Sequence, residues 1–379
     1  MAIRASQIEM AATAQNLAID KEIAALLAHD AAIGFGVSGG KDSDAMALAT
    51  TQFLDAIGHR GPRVLIHSDL GQIEHADSLP QCQRLADHLG LELIVVRRAL
   101  GGMIERWEQR WRDNVARYVA LSCVTLITPW SSAGMRFCTS ELKVAPITRE
   151  LAIRFHGQPI INSVGIRREE STGRAKKPTS QANKKLLRAG GLGGRDWYPI
   201  IDWRLEEVWL EHERNGFPAH YAYRVNRNSR VSCSVCVLSS LHDLSASLKD
   251  ERNHDAYRRV VDLEIQSAFS FQPSRWLGDV RPDLLTTQQI EGVEVAKEIA
   301  QGRREVEARI PKELRFVDGW PTFIPSLEQC ELLAEVRSKV GSLASLSVGC
   351  TTADAVRTRY EELFAQIQER RTDHGSIPE

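Results

Sequence analysis

The sequence predicts an α/β protein: a parallel twisted sheet with flanking helices, followed by a mainly helical C-terminal region. Two observations carry this. An apolar run over 31–37 leads directly into the loop Ser38-Gly39-Gly40-Lys41-Asp42-Ser43. Beyond it, short β-branched runs alternate with stretches of helical period.

The elements follow in order. Residues 1–30 read as an N-terminal helical segment, and 31–37 as the first strand. Helical spacing over 44–57 comes next, then a strand at 64–66, a helix over 76–89 and a strand over 91–96. The order β-α-β-α-β implies parallel strands, with ligands at their C-terminal ends. Both the loop 38–43 and His67-Ser68-Asp69-Leu70-Gly71 fall there. In the helical stretch 104–118, Trp107 and Trp111 stand one turn apart; they either pack on an amphipathic face or stack on a base. A helix over 141–156 precedes a strand over 159–164. Past residue 241 the composition is helical, most clearly over 288–307 and 353–370. The expected domains are 1–30, 31–240 and 241–379.

Composition narrows the class. With 379 residues, 43% hydrophobic and 26% charged, the chain can bury a large core. No apolar run approaches the about 18 residues of a membrane span, and Met1-Ala2-Ile3-Arg4 opens no secretory signal, so a cytoplasmic protein without a membrane partner is expected. Seven cysteines, an odd number, favour free thiols, catalysis or metal binding over a disulfide framework. A net charge of −1 excludes a global attraction to polyanions, leaving only local patches for nucleic acid.

The loop 38–43 is suited to a pyrophosphate. Adjacent glycines let the backbone approach an oxyanion, Ser38 and Ser43 add hydroxyls, and a helix N-terminus follows. Neither the Walker spacing nor the dinucleotide fingerprint can be written over it. Asp42 beside a phosphate is repulsive unless a divalent cation intervenes, which argues for Mg²⁺. The plainer alternative is a strand–glycine–helix turn.

Three further segments carry chemistry. Residues 165–174 place Arg167, Arg168, Ser171 and Arg174 after a strand, suited to a planar or tetrahedral anion; a solvated charged turn is the alternative. From Thr172 to Arg195 there are seven basic residues and no acidic one, with a glycine-rich run at 190–194, which reads as a mobile, polyanion-seeking loop or simply a solvated one. Cys233 and Cys236 form a C-x-x-C pair, and Cys138 precedes a helix start that would lower its pKa. Zinc, a redox disulfide and iron–sulfur all remain open for these thiols.

Taken in order, 38–43, Asp69-Leu70-Gly71-Gln72-Ile73-Glu74, Cys138-Thr139 with Leu142-Lys143, 165–174, Pro199-Ile200-Ile201-Asp202-Trp203 with Val208-Trp209, and Cys233 with Cys236 resemble one family. It is the PAPS reductase-like group of PP-loop ATP pyrophosphatases, with an adenine nucleotide alpha hydrolase-like fold. The late cysteines, in Glu328-Gln329-Cys330-Glu331 and Val348-Gly349-Cys350-Thr351, do not match the Glu-Cys-Gly-x-x-His segment of similar reductases. The intact S-G-G-x-D-S form is that of relatives that cleave ATP.

The pattern is most similar to the DndC- and SspD-type proteins of DNA phosphorothioation. The resemblance implies an ATP-dependent adenylating sulfurtransferase that yields AMP and pyrophosphate. It implies that Ser38, Gly39, Gly40 and Ser43 hold pyrophosphate, that Lys41 offsets its charge, and that Asp42 holds Mg²⁺, with His67 and Gly165 in the ATP site. Arg167 joins Asp42 and Lys41 as catalytic, while Lys143, Arg168, Glu170, Ser171 and Arg174, with Asp69 and Glu74, position the anionic substrate. Cys138, Cys233 and Cys236 would bind a 4Fe-4S cluster whose fourth ligand is unassigned, His242 being a candidate. The implied partners are a nucleic acid, DNA favoured over tRNA, a cysteine desulfurase as sulfur donor, and other modification proteins. tRNA thiolation and sulfonucleotide reduction are the alternatives.

Overall fold

The structure, a computed structural model, describes residues 2–186 and 194–374. Six strands form its sheet: β1 (Ala32–Val37), β2 (Arg63–Asp69), β3 (Glu92–Arg97), β4 (Ile160–Val164), β5 (Ser180–Ala182) and β6 (Gly194–Trp197). Their spatial order is β3-β2-β1-β4-β6-β5, parallel throughout except for the β5–β6 pair. The chain steps outward from β1 through β2 to β3, then returns to lay β4 on the other side of β1. Strand order therefore reverses between β1 and β4, and in open α/β sheets the crevice at such a reversal is where ligands bind. The register Val37↔His67 and Gly36↔Val164 brings the ends of these three strands level with one another.

Helices α1 (Ala2–Ala14), α2 (Lys21–Ala28), α3 (Lys41–Ala56) and α4 (Ser78–Leu89) cover one face. The pleat of β1 sends Ile33, Phe35 and Val37 to that face, where they meet Leu27, Met46, Leu48 and Leu85. Ala32 points to the opposite face with Val64, Ile66 and Ile160. Both faces being covered explains why these strands read as apolar runs rather than alternating ones.

Helix α5 (Met103–Val119) follows. The helix expected over 141–156 begins instead as a single turn, α6 (Phe137–Thr139), passes through a π-helical stretch at Ser140–Val144, and only then becomes α7 (Ala145–Arg154). The wider π turn brings the Leu142 carbonyl onto the Ser68 hydroxyl at the end of β2. Then come α8 (Thr172–Ala175), α9 (Leu205–Arg214), α10 (Leu241–Ser247), α11 (His254–Ser267), α12 (Thr287–Glu307), α13 (Leu327–Leu343) and α14 (Ala353–His374).

In the basic stretch from Thr172 to Arg195 the described residues are 172–186, 194 and 195. They contain α8, β5 and the start of β6, because the Asp196 carboxylate gathers the side-chain amides of Asn162 (2.8 Å), Asn183 (2.8 Å) and Gln181 (3.2 Å). Most of the glycine-rich run at 190–194 lies outside the described residues.

The chain divides into two compact units, Met1–Ile104 with Ser131–Tyr257, and Glu105–Trp130 with Arg258–Glu379. In the second unit Trp107 and Trp111 are buried, Trp107 against Trp130 and Phe271 and Trp111 against Phe269, so both rings belong to a packed aromatic core. The fully buried Arg337 caps the end of α5, donating to the carbonyls of Tyr118 (2.8 Å) and Val119 (3.1 Å). Among the described residues no helix is long and apolar enough to cross a membrane.

Candidate nucleotide and thiol site

The loop after β1 is shaped by backbone constraints. Gly39 has φ +71°, and a Cβ there would meet the Ser78 carbonyl at 3.1 Å and the His220 ring at 3.1 Å. Helix α3 starts at Lys41 with Gly40 as N-cap, so the N-cap residue itself offers its first turn no side-chain acceptor. Its first N–H groups form the anion-binding end of a helix. Ser43 Oγ donates to the Gly40 carbonyl (2.8 Å) and accepts from the Ser38 N–H (3.3 Å), bracing the loop across its width.

The charges are paired inside the site. Asp42 Oδ1 accepts from Arg167 Nε at 2.6 Å, and Oδ2 lies 3.2 Å from Lys41 Nζ. Arg167 is 5% exposed and also reaches Glu169 at 2.5 Å. Burial works against its charge, but the bond and charge of Asp42, with Glu170 and Glu169, outweigh it and hold the guanidinium above its ordinary value. Glu170 accepts the Arg167 backbone N–H at 2.8 Å and pairs with Arg174, joining two of the arginines after β4.

Both Asp42 oxygens are thus in ion pairs. A divalent ion at this carboxylate would have to displace the Arg167 and Lys41 contacts.

Other expected residues have local roles. His67 is 1% exposed, with one ring nitrogen 3.1 Å from the Val37 carbonyl and the other 3.1 Å from Glu74. It steadies the end of β1 and has no free ring nitrogen to offer a nucleotide. Burial opposes its protonation, yet Glu74 outweighs this and raises its pKa. Arg168 spends its donors on the Lys177 carbonyl and Asp202 rather than on an open anion site. Ser171 accepts the Arg174 N–H at 3.2 Å, and Asp69 takes the Gly71 N–H at 2.6 Å and pairs with Arg97.

The thiols gather beside this crevice. The π stretch after Cys138 is bonded to Ser68, and the Cys233–Cys236 loop is held by Ser234, whose N–H and hydroxyl both donate to the Ile73 carbonyl (2.8 and 2.9 Å). Desolvation pushes the Cys233 thiol up, reinforced by Cys236, opposed by Lys143, and raised again by Glu74 and Cys138. These five side chains therefore share one electrostatic neighbourhood. Cys138, Cys233 and Cys236 are all half-buried. Among the described residues no group of three or more His, Cys, Asp or Glu could hold a metal ion. Three thiols in one neighbourhood do match the donor set of a 4Fe-4S cluster, whose cysteines ligate separate irons. His242 sits at the surface, 3.6 Å from Asp243.

Several residues of the site carry no signal in the sequence. The Tyr223 hydroxyl accepts the Lys41 N–H at 3.4 Å, and His212 Nε2 lies 3.0 Å from the Lys41 carbonyl. Asp44 is fully buried beneath the loop, accepting from Gln81 (3.1 Å) and Ser43 (3.3 Å). Burial raises its pKa to about 6 against these bonds. Between the ordinary carboxylate value and about 6 the folded chain holds a proton that the unfolded chain has released, so this residue's contribution to stability falls as pH rises through that window. An Asp44→Asn variant is expected to lose that slope. Urea melts across the window check it, and an unchanged slope would refute it.

A family model, the phosphoadenosine phosphosulfate reductase domain, matches residues 33–260. No curated protein matches the chain. Among solved structures, the phosphoadenylyl-sulfate reductase of Candida auris in its phosphate complex aligns with a TM-score of 0.34 at 12% identity, covering 53% of this chain and 80% of that one. The U34-tRNA thiolase NcsA from Methanococcus maripaludis, with its [4Fe-4S] cluster, gives 0.37 at 14% identity over 79% and 80%. The FMN adenylyltransferase of Candida glabrata gives 0.29 at 16% over 54% and 57%.

Proposed function

Because the chain belongs to the phosphoadenosine phosphosulfate reductase domain family, we propose that it is an ATP pyrophosphatase that adenylates a nucleic-acid acceptor for sulfur insertion, the acceptor being a DNA phosphate. One observation supports this above the rest: the anion loop after β1, Arg167 after β4, and the thiols of Cys138, Cys233 and Cys236 lie at the same C-terminal edge of the sheet.

In this reading the N–H groups of α3 and the hydroxyls of Ser38 and Ser43 bind the β- and γ-phosphates, and Lys41 offsets their charge. The acceptor oxygen attacks the α-phosphorus, and the bond to pyrophosphate breaks. Arg167, drawn away from Asp42 by the incoming anion, stabilises the charge that develops. Hydrosulfide, freed from the persulfide of a cysteine desulfurase by a thiol reductant that ends as a disulfide, then forms the new bond at the activated centre while AMP leaves with the electron pair. Lys143 opposes the rise that burial imposes on the Cys233 thiol. A 4Fe-4S cluster held by Cys138, Cys233 and Cys236 would supply an open iron for sulfide. Cys330, fully buried in the second unit, is not available as a reductase nucleophile.

The test is AMP and pyrophosphate release from ATP by the anaerobically purified protein, with DNA or tRNA present. DNA-stimulated release, lowered about 100-fold in Asp42→Ala, is expected, because that change unbalances Lys41 and Arg167. Iron near four per chain, lowered by Cys233→Ser, is expected alongside it. Stimulation by tRNA alone would move the acceptor to tRNA. ATP-independent sulfite release from an activated sulfonucleotide would overturn the reading.

A further inference from the structure

We infer that Tyr223 is a positioning residue that couples anion occupancy of the phosphate loop to the loop bearing Cys233 and Cys236. The inference rests on reading Ser38–Ser43 as an anion site.

The geometry is a bridge through one oxygen. Tyr223 Oη accepts the backbone N–H of Lys41 at 3.4 Å and that of Val231 at 3.0 Å. The first donor belongs to the opening turn of α3, where an incoming phosphate would bind. The second lies two residues before Cys233. The far side of the thiol loop is anchored independently, through Ser234 on the Ile73 carbonyl. The ring is held by contacts that do not involve the hydroxyl: Lys41 Nζ lies 5.3 Å from its centroid, and Trp209 meets it edge-on at 5.3 Å.

Two backbone donors occupy both lone pairs of the phenol oxygen, so its own proton points away from them. Burial raises the phenol pKa, which keeps that proton in place. A phosphate oxygen competes with Tyr223 for the Lys41 N–H, and charge-assisted hydrogen bonds are roughly twice as strong as neutral ones. On binding, the anion takes the Lys41 N–H and accepts the tyrosine proton. The phenol turns toward the anion, the Val231 contact is released, and the thiol loop gains freedom. Without the anion, the bridge holds that loop closed against α3.

The experiment uses the full-length chain, reduced and treated with a chelator so that the thiols are free. Iodoacetamide labelling of Cys233 and Cys236 is followed by peptide mass spectrometry with and without inorganic pyrophosphate, and calorimetry reports pyrophosphate binding separately. Cys350, half-buried in the second unit, is the internal reference for folding. In the wild type, pyrophosphate is expected to raise labelling of both thiols by roughly fivefold. Tyr223→Phe, which removes one oxygen and keeps the ring contacts, is expected to bind pyrophosphate but to label at one rate regardless of it, with Cys350 unchanged. A full pyrophosphate response in Tyr223→Phe, or none in a wild type that binds the anion, overturns the coupling while leaving the anion site intact. Absence of pyrophosphate binding to the wild type removes the anion-site reading, and the coupling with it. Faster labelling of Cys350 in the variant would mark general unfolding and count against a specific role for the hydroxyl.

Discussion

Gly165→Ala is expected to abolish pyrophosphate binding at the phosphate loop and to cost about 3 kcal/mol of stability. A Cβ at this position would stand 2.4 Å from the Asp42 carbonyl oxygen, 2.8 Å from its carbon and 2.9 Å from Ser43 Cα. All three are backbone atoms of the first turn of α3, so no side chain can rotate away to make room. The strand end of β4 and the start of α3 must separate, and Arg167, two residues on, moves off Asp42 with them. Gly173→Ala, on the same segment but with nothing within 4 Å, is the control and is expected to bind like the wild type. Calorimetric titration with pyrophosphate and a urea melt measure both effects. Binding retained by Gly165→Ala would show that the loop tolerates a wider gap than the packing implies.

Glu264→Ala is expected to destabilise the second unit by at least about 4 kcal/mol. The Glu264 side chain is fully buried on α11, and its carboxyl accepts the backbone N–H groups of Phe271 (2.6 Å), Leu277 (2.8 Å) and Gly278 (3.0 Å). Removing it takes this acceptor away from three buried N–H groups, each lost bond costing about 1–3 kcal/mol. Burial raises its pKa to about 7, against the pull of the same three bonds. From its ordinary value of 4.5 up to about 7 the folded chain keeps a proton that the unfolded chain has lost. Its contribution to stability is therefore full below that window and declines as pH rises through it. Glu264→Gln keeps an acceptor oxygen and cannot ionise, so its stability relative to the wild type should improve across the window. Thermal or urea unfolding of both proteins at each end decides it. Parallel pH profiles would show that this carboxyl does not titrate there.

The parts of this molecule that were legible in the sequence are those governed by short-range physics. The apolar run at 31–37, the paired glycines after it, and the β-branched runs that became β2, β3 and β4 act through local backbone preference and hydrophobic burial. Strand starts and ends accordingly agree to within a few residues. The two weakest strands, β5 and β6, were not legible, because three amides converging on Asp196 hold them together and no apolar pattern marks them. The Trp107–Trp111 pair was ambiguous for a related reason. One helical face serves equally for core or ligand until its opposite surface is known, and here that surface is Trp130, Phe269 and Phe271.

By itself, then, the sequence determined an α/β sheet, a phosphate-sized loop at the end of its first strand, and a set of thiols and arginines able to work beside it. Tertiary structure alone decided which of these meet. Laying β4 rather than β3 next to β1 brought Arg167 onto Asp42 and set Gly165 against α3. The return of the chain after α9 put the Tyr223 hydroxyl between Lys41 and Val231. Local propensity extends over only a few residues. Contacts between residues more than a hundred positions apart depend on strand order and on the desolvation of paired charges, and both exist only once the chain has closed on itself.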